Sequence, residues 1–359
     1  MIGIESGNTA WVLIAAAMVF FMTPGLALFY GGMARSKNVL STIMQSFFLI
    51  GVISVEFMLI GYTLIFGDDV HGIIGSLNKI GLMGTENSIM EGANIPEMAF
   101  IAFQCMFAII TPAIMSGSIT GRMRFAPFVV FAVIWSVLIY NPMAHWVWGG
   151  GFLANLGAST LAANAVLTTQ MSAAIGIVGW VLVERYHRGK PTVLGAVSGG
   201  VSGLVAITPA AGFVTPVAAI PIGFIGAICC YVAVAVLKSK FGYDDSLDAF
   251  GIHGVGGMWG AIATGLFATV SVNPDGADGL FYGGNLLIPQ LISLVVAIAL
   301  AIIGTTIIFK VVSLFMDMRV SISAESLGID ISEHGEGAYN QSEFKSSGRF
   351  ITSDQHSLV

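Results

Sequence analysis

Long apolar runs alternate with short polar loops along almost the whole chain. The runs lie at 11–30, 45–66, 98–115, 125–148, 165–183, 192–209, 216–237, 250–269 and 287–315. Each approaches the ~20 residues that a helix needs to cross a bilayer, so the pattern predicts an all-α polytopic membrane protein with about nine spans. The apolar pattern stops at Phe315. It therefore predicts one membrane domain, 1–315, and a polar tail, 316–359, with no second folded domain. The first run is too long for a cleaved signal peptide and lacks its basic flank, so it reads as a retained helix.

Charge orders these spans. Arg35 and Lys37 follow the first run, Arg122 and Arg124 the third, Arg185, Arg188 and Lys190 the fifth, Lys238 and Lys240 the seventh, and Arg319 the ninth. The remaining loops hold Lys79 among Asp68, Asp69, Glu86, Glu91, Asp275 and Asp278. Positive residues collect in cytoplasmic loops, which puts the amino terminus outside the cell membrane and the carboxyl terminus in the cytoplasm. Lys310 lies near the inner end of the ninth run, from which its side chain can snorkel to the interface.

Composition agrees: 56% of residues are hydrophobic, 9% are charged and the mean hydropathy is +0.87, where soluble domains carry about 25% charge. A net charge of −6 spread over loops and tail argues against a nucleic-acid partner. Cys105, Cys229 and Cys230 fall inside predicted spans and read as small apolar packing residues, not as a disulfide framework or metal cluster. Gly189-Lys190-Pro191-Thr192 lacks the upstream glycine of a phosphate-binding loop, so no nucleotide drives the protein, no cofactor is implied, and transport is expected instead of catalysis. Gly195, Gly199 and Gly203 share a helical face, as do Gly256 and Gly260; they read either as close helix packing or as a means of narrowing a pore.

Ionisable groups inside a span are costly and point to function by default. His253, set among Gly251, Gly254, Gly256 and Gly257, reads either as a pore imidazole or as a buried neutral ring bonded to a backbone carbonyl. His145, beside Trp146 and Trp148 at a span end, reads as an interfacial anchor. Glu56, mid-span, must be protonated or face a polar partner between helices. Phe103 and Phe107 lie one turn apart beside Gln104; such a pair is core packing, or with a nearby Trp it stacks on a cation.

Taken in order, these motifs resemble the ammonium transporter (Amt/Mep/Rh) family. The resemblance rests on the run Met22-Thr23-Pro24-Gly25-Leu26-Ala27-Leu28-Phe29-Tyr30-Gly31-Gly32 with Lys37-Asn38-Val39-Leu40. It continues through Ala144-His145-Trp146-Val147-Trp148-Gly149-Gly150-Gly151, Gly189-Lys190-Pro191, Ala206-Ile207-Thr208-Pro209-Ala210, Asp248-Ala249-Phe250-Gly251-Ile252-His253-Gly254 and a tail motif over 328–336. It implies a helical bundle built from inverted repeats and assembled as a homotrimer, with an ammonium or ammonia pore through each subunit. Phe107 resembles the outer gate phenylalanine, Phe103 and Trp148 the aromatic wall of the outer ammonium site, and Ser159 a serine of that site. His253 resembles the second of two pore histidines. Asp248 would lie toward the inner mouth, where a PII-type signal protein docks in relatives.

The chain departs from the family after Ala158. Relatives carry there an Asp-Phe-Ala-Gly-Gly segment, a helix with the first pore histidine, and a second helix. Here Gly157-Ala158 runs straight into Ser159-Thr160-Leu161-Ala162-Ala163-Asn164. Two helices of ~20 residues and their connections, roughly sixty residues, are missing, so nine spans stand where the family has eleven and a gap is expected beside the pore. The rival expectation is a non-transporting ammonium sensor, or a membrane anchor for a PII-type protein, which tolerates loss of the relay.

Overall fold

A computed structural model describes residues 3–90, 93–153 and 162–339 of the chain. Among the described residues, nine helices of 15 residues or more follow one another: α1 (Ser6–Met33), α2 (Val39–Phe66), α3 (Glu97–Ile119), α4 (Phe125–Trp148), α5 (Ala162–Arg188), α6 (Val193–Ile207), α7 (Pro216–Phe241), α8 (250–267) and α9 (Leu287–Ser313). Seven of these described helices are long and apolar enough to cross a bilayer; α6 and α8 are not among them. The run 192–209 predicted a span, but α6 has only 15 residues, about 22 Å at 1.5 Å per residue, short of a ~30 Å hydrocarbon core. Thr208 keeps helical backbone, but Pro209 has no amide to continue the helical ladder, and the chain turns through 208–215 before Thr215 caps α7 by accepting from the Ala218 amide. α8 falls short in apolarity because glycines take the place of larger residues along it.

The glycines explain how the second half packs. On α6, a Cβ on Gly203 would lie 2.2 Å from the Ser172 carbonyl oxygen of α5, and one on Gly199 2.5 Å from Trp180 Cβ. Facing them, a Cβ on Gly176 would stand 2.5 Å from the Gly199 carbonyl. Ser172 Oγ donates to the Gly203 carbonyl at 2.7 Å across this contact. Backbone is therefore seated against backbone, as small residues permit in a membrane. Gly260 on α8 meets the Ala206 carbonyl of α6 in the same way, while Gly256 lies against the side chains of Val205 on α6 and Cys230 on α7. These stripes are packing faces.

The first half, α1 to α4, closes around Leu49, Phe57, Ile109 and Phe128, all buried. Glu56 sits buried inside it, accepting from Asn141 Nδ2 at 2.9 Å and Ser136 Oγ at 3.1 Å. This is the polar partnership between helices that a mid-span carboxyl requires. Single π-helical turns at Phe57–Gly61 and Ser136–Tyr140 flank the contact. A Cβ on Gly61 would stand 3.1 Å from Glu56 Oε1, so that glycine opens the space.

Polar ties sit at the two ends of the bundle. At one end, two short hairpins, β1 (Asp69–Val70) with β2 (Ile74–Gly75) in the register Asp69↔Gly75, and β3 (Ile89–Met90) with β4 (Ile95–Pro96), cap the helices. Glu97 there accepts from Tyr62 Oη at 2.5 Å, Lys79 Nζ at 2.6 Å and Ser88 Oγ. His145 corrects the sequence reading: it is fully buried, no interfacial anchor, with Nδ1 2.7 Å from the Ile65 carbonyl and Nε2 2.9 Å from Asp69 Oδ1. Both ring nitrogens face oxygen acceptors, so both bonds form only with a proton on each nitrogen or one on the carboxyl. The bond to His145, foremost, holds the Asp69 carboxyl below the usual aspartate range.

The other end gathers the basic loops. Arg122 pairs with Asp244 at 2.8 Å and with Glu325, and Lys238 with Asp248 at 2.6 Å. Residues 316–339 return across this face as α10 (Ile322–Leu327) and α11 (Ile329–His334). Asp330, buried, accepts from the Ser41 amide at 2.7 Å and the Leu40 amide at 3.0 Å, satisfying two donors that the first turn of α2 leaves open. Gly328 has φ +109° because its backbone passes against Lys37.

Two outcomes follow from this packing. Gly203→Val places side chain against a rigid carbonyl and should cost about 1–3 kcal/mol or more by overpacking, lowering the melting point of the detergent-solubilised protein; Gly257→Ala, with nothing within 4 Å of the new Cβ, should leave it unchanged. A His145→Ala variant strands the Ile65 carbonyl, at about 1–3 kcal/mol. Asp69 ionises more readily folded than unfolded, so its contribution is complete above pH ~4 and lost as pH falls through its depressed folded value. Melting points recorded across that window should fall in the wild type and stay flatter in Asp69→Asn, which has no carboxyl to protonate.

Candidate functional site

Phe103 and Phe107 lie on α3 with ring centroids 5.0 Å apart and planes at 89°, edge to face. Both are part-buried, and the Phe107 carbonyl is held by Thr111 Oγ1 at 2.7 Å. Trp148 ends α4 and is 45% exposed. Among the described residues it contacts no other ring, so the structure does not bring it onto the phenylalanine pair. What positions it is the His145 strut one turn earlier, with the Gly149 and Gly151 backbone pressed against Ile65 and Trp146. Ser159 lies outside the described residues.

His253 sits in a single π-helical turn, Phe250–Gly254, that begins α8. The ring is part-buried and has no hydrogen-bond partner among the described residues. The bland alternative, a ring satisfied by a backbone carbonyl, is therefore not what the geometry holds. The glycines around it serve mainly other contacts than clearing its ring: a Cβ on Gly251 would strike Val234 at 2.6 Å, and one on Gly254 the Phe250 ring at 2.7 Å. Only Gly257, one turn beyond His253, faces open space. Cys230 Sγ lies 3.4 Å from the Ile252 carbonyl, a contact of a packed thiol.

Asp248 lies just before α8, in the left-handed region at φ +60°, and accepts from Lys238 Nζ at 2.6 Å. Burial pushes its carboxyl up from the usual aspartate value, and the Lys238 ammonium only partly offsets this. Sequence reading passed over Asp245. It is buried and accepts from the Gly251 amide at 3.1 Å and from Ser118 Oγ at 2.9 Å, joining the start of α8 to the end of α3. The signal was present: an acidic cluster, Asp244-Asp245 with Asp248, immediately ahead of an apolar run marks a helix N-terminus. Arg122 and Glu325 were likewise seen only as loop and tail charges. Among the described residues no group of three or more His, Cys, Asp or Glu is placed to hold a metal ion.

With this geometry in hand, the comparisons with known proteins are direct. The model of the Ammonium Transporter Family matches residues 10–164 and 157–339. The ammonium transporter of Bacillus subtilis (strain 168) is 44% identical over 403 aligned positions, covering 94% of this chain and all of that relative. Since 94% of 359 residues is roughly 337, roughly 66 alignment positions face no residue here. That shortfall, with the two family matches meeting at 157–164, bears out the missing segment after Ala158. Saccharomyces cerevisiae Mep2 superposes with a TM-score of 0.83 at 28% identity, covering 89% of this chain and 88% of that one. A sensor Amt protein also superposes at 0.83, but at 22% identity it shares the fold alone. The family-wide match and the 44% identity with a full-length relative place this chain in the ammonium transporter family.

Proposed function

We propose that this chain, an ammonium transporter by family, moves its substrate along a path inside each subunit of a homotrimer in the cell membrane. The path begins at Phe103, Phe107, Trp148 and Ser159, passes His253 and ends beside Asp248, with the amino terminus outside and the carboxyl terminus in the cytoplasm. An aromatic pair set edge to face can attract a small cation that sheds water. The observation that carries the reading is His253: an imidazole in a membrane helix that has no partner of its own among the described residues is available to a passing molecule. The names of the relatives favour transport over sensing.

The transported species is neutral ammonia. A proton crossing an apolar path needs successive titratable groups, and His253 hydrogen-bonds to none among the described residues; Asp245 is engaged by the Gly251 amide and Ser118 Oγ, and Thr168 donates to the Ala211 carbonyl at 2.8 Å. Without a relay the barrier rises by at least a few kcal/mol, and each ~1.4 kcal/mol is tenfold in rate. Reconstituted beside an eleven-span relative, this chain should give ammonium-evoked currents lower by roughly a hundredfold or more, while ammonia flux, read from internal alkalinisation of the vesicles, persists and drops in His253→Leu. Comparable currents abolished by His253→Ala would mean that a relay exists elsewhere.

We assign a regulatory role to the tail, 316–359, with a PII-type signal protein as partner at the cytoplasmic face. The support is the seating of Asp330 on α2 and of Glu325 on Arg122, which also holds Asp244 beside the proposed inner mouth. Truncation after Met318, and Asp330→Ala alone, should change ammonia flux severalfold and weaken capture of a PII-type protein. Unchanged flux together with unchanged capture would refute the assignment.

A further inference from the structure

A cleft of about 610 Å³ opens between the end of α4, the middle of α8 and the first half of α9. That volume lies within the ~300–1,000 Å³ of pockets that hold a ligand. Val147, Gly257, Ala261 and Ala297 line it from the three helices, and Ser293 supplies the single hydroxyl among the lining residues. A water molecule needs about two to four polar partners to be held in a buried site, so this cleft is no place for water or for a polar solute. Its rim is open sideways. Phe250 and Ile302 both line it, yet remain 51% and 63% exposed, and α9 buries only 6% of its most apolar stretch.

Two further observations identify what is missing from it. Gly257 faces the cleft with no atom within 4 Å of its Cβ position, although glycine in a membrane helix otherwise marks close approach by a neighbour. Leu153 also lines the cleft, and the two family matches meet only a few residues later, at 157–164, where longer relatives carry their additional segment. In sequence, that segment would begin a few residues after Leu153, which lines this space.

We propose that a hydrocarbon chain of a bilayer lipid occupies the cleft, standing where longer relatives place protein. The site follows from the membrane fold and holds whether or not this chain conducts. A chain seated there covers Gly257, one turn from His253, and closes that side of α8 to water. Oxygen dissolves in hydrocarbon and a charged or chelated metal does not, so a reporter in the cleft distinguishes lipid from water and from protein.

The experiment places a nitroxide at Ala261→Cys in the full chain, with Cys105, Cys229 and Cys230 replaced by Ala, in phosphatidylcholine vesicles. Relaxation by oxygen without relaxation by a water-soluble nickel chelate, at the level found for a label at the lipid-facing Ile303, is the expected result. Relaxation by nickel means an aqueous cleft, and relaxation by neither means that protein covers it, whether a second copy or another part of this chain; either overturns the proposal. If the cysteine replacements prevent folding, Ala297→Trp in an otherwise native chain serves instead. Its added emission should be quenched by brominated phosphatidylcholine as strongly as that of Ile303→Trp, and absence of quenching overturns the proposal equally.

Discussion

In a hydrocarbon medium no water is present to satisfy a peptide group, so every amide and carbonyl at that depth must find its partner within the chain. The architecture of this protein follows from that demand. Among the described residues nine helices of 15 residues or more carry the chain, and the turns, hairpins and caps sit between them. Side chains meet open donors or acceptors at several helix ends: Asp330 serves the first turn of α2, Asp245 the first turn of α8, and His145 the Ile65 carbonyl near the end of α2. The Asp330 and His145 caps cross 289 and 80 residues of sequence, and Asp245, which caps α8 locally, also accepts from Ser118, 127 residues away. The same bonds that satisfy the backbone therefore tie distant segments together.

This gives the bundle a division of labour along its axis. Apolar helices have little hydrophobic reason to associate inside lipid, so van der Waals fit between small residues takes over there, as at Gly176, Gly199 and Gly203. Polar and charged groups concentrate at the ends, where Arg122 joins Asp244 to Glu325 and Glu97 gathers Tyr62, Lys79 and Ser88. Glu56 is the exception. Its two donors and a glycine opposite it let a carboxyl stay in the middle of α2, and paired π-helical turns accommodate the contact.

The ties at both ends stand although the chain lacks the segment that longer relatives carry after Ala158. The halves remain joined at the basic face by Asp245, Arg122 and the tail, and along one side by α9 packing on α4 and α8. Between them lies the apolar cleft, next to the helix that carries His253. The proposed path and the cleft thus lie on one helix, with His253 and Gly257 one turn apart.

Hydrophobic run length and the placement of Lys and Arg were enough to read from sequence a polytopic helical protein, its helix order and its basic face, because a membrane imposes span length and charge sidedness locally. Motif order identified the family and located the break after Ala158. Sequence could not settle the roles of single polar residues, since a side chain's function depends on which distant group meets it. His145 read as an anchor beside two tryptophans, and only folding shows it bridging Ile65 and Asp69, 80 and 76 residues away. Asp245, Asp330 and Arg122 were visible as charges, but Ser118, Ser41 and Glu325, which meet them, lie more than 120 residues away in the chain. The short helix at 193–207 was hidden because hydropathy carries across Pro209 while helical backbone does not. The cleft was foreseeable as a gap, yet its walls, its open rim and the vacant face of Gly257 arise only when α4, α8 and α9 meet, because a void belongs to an assembly of helices and to no one of them.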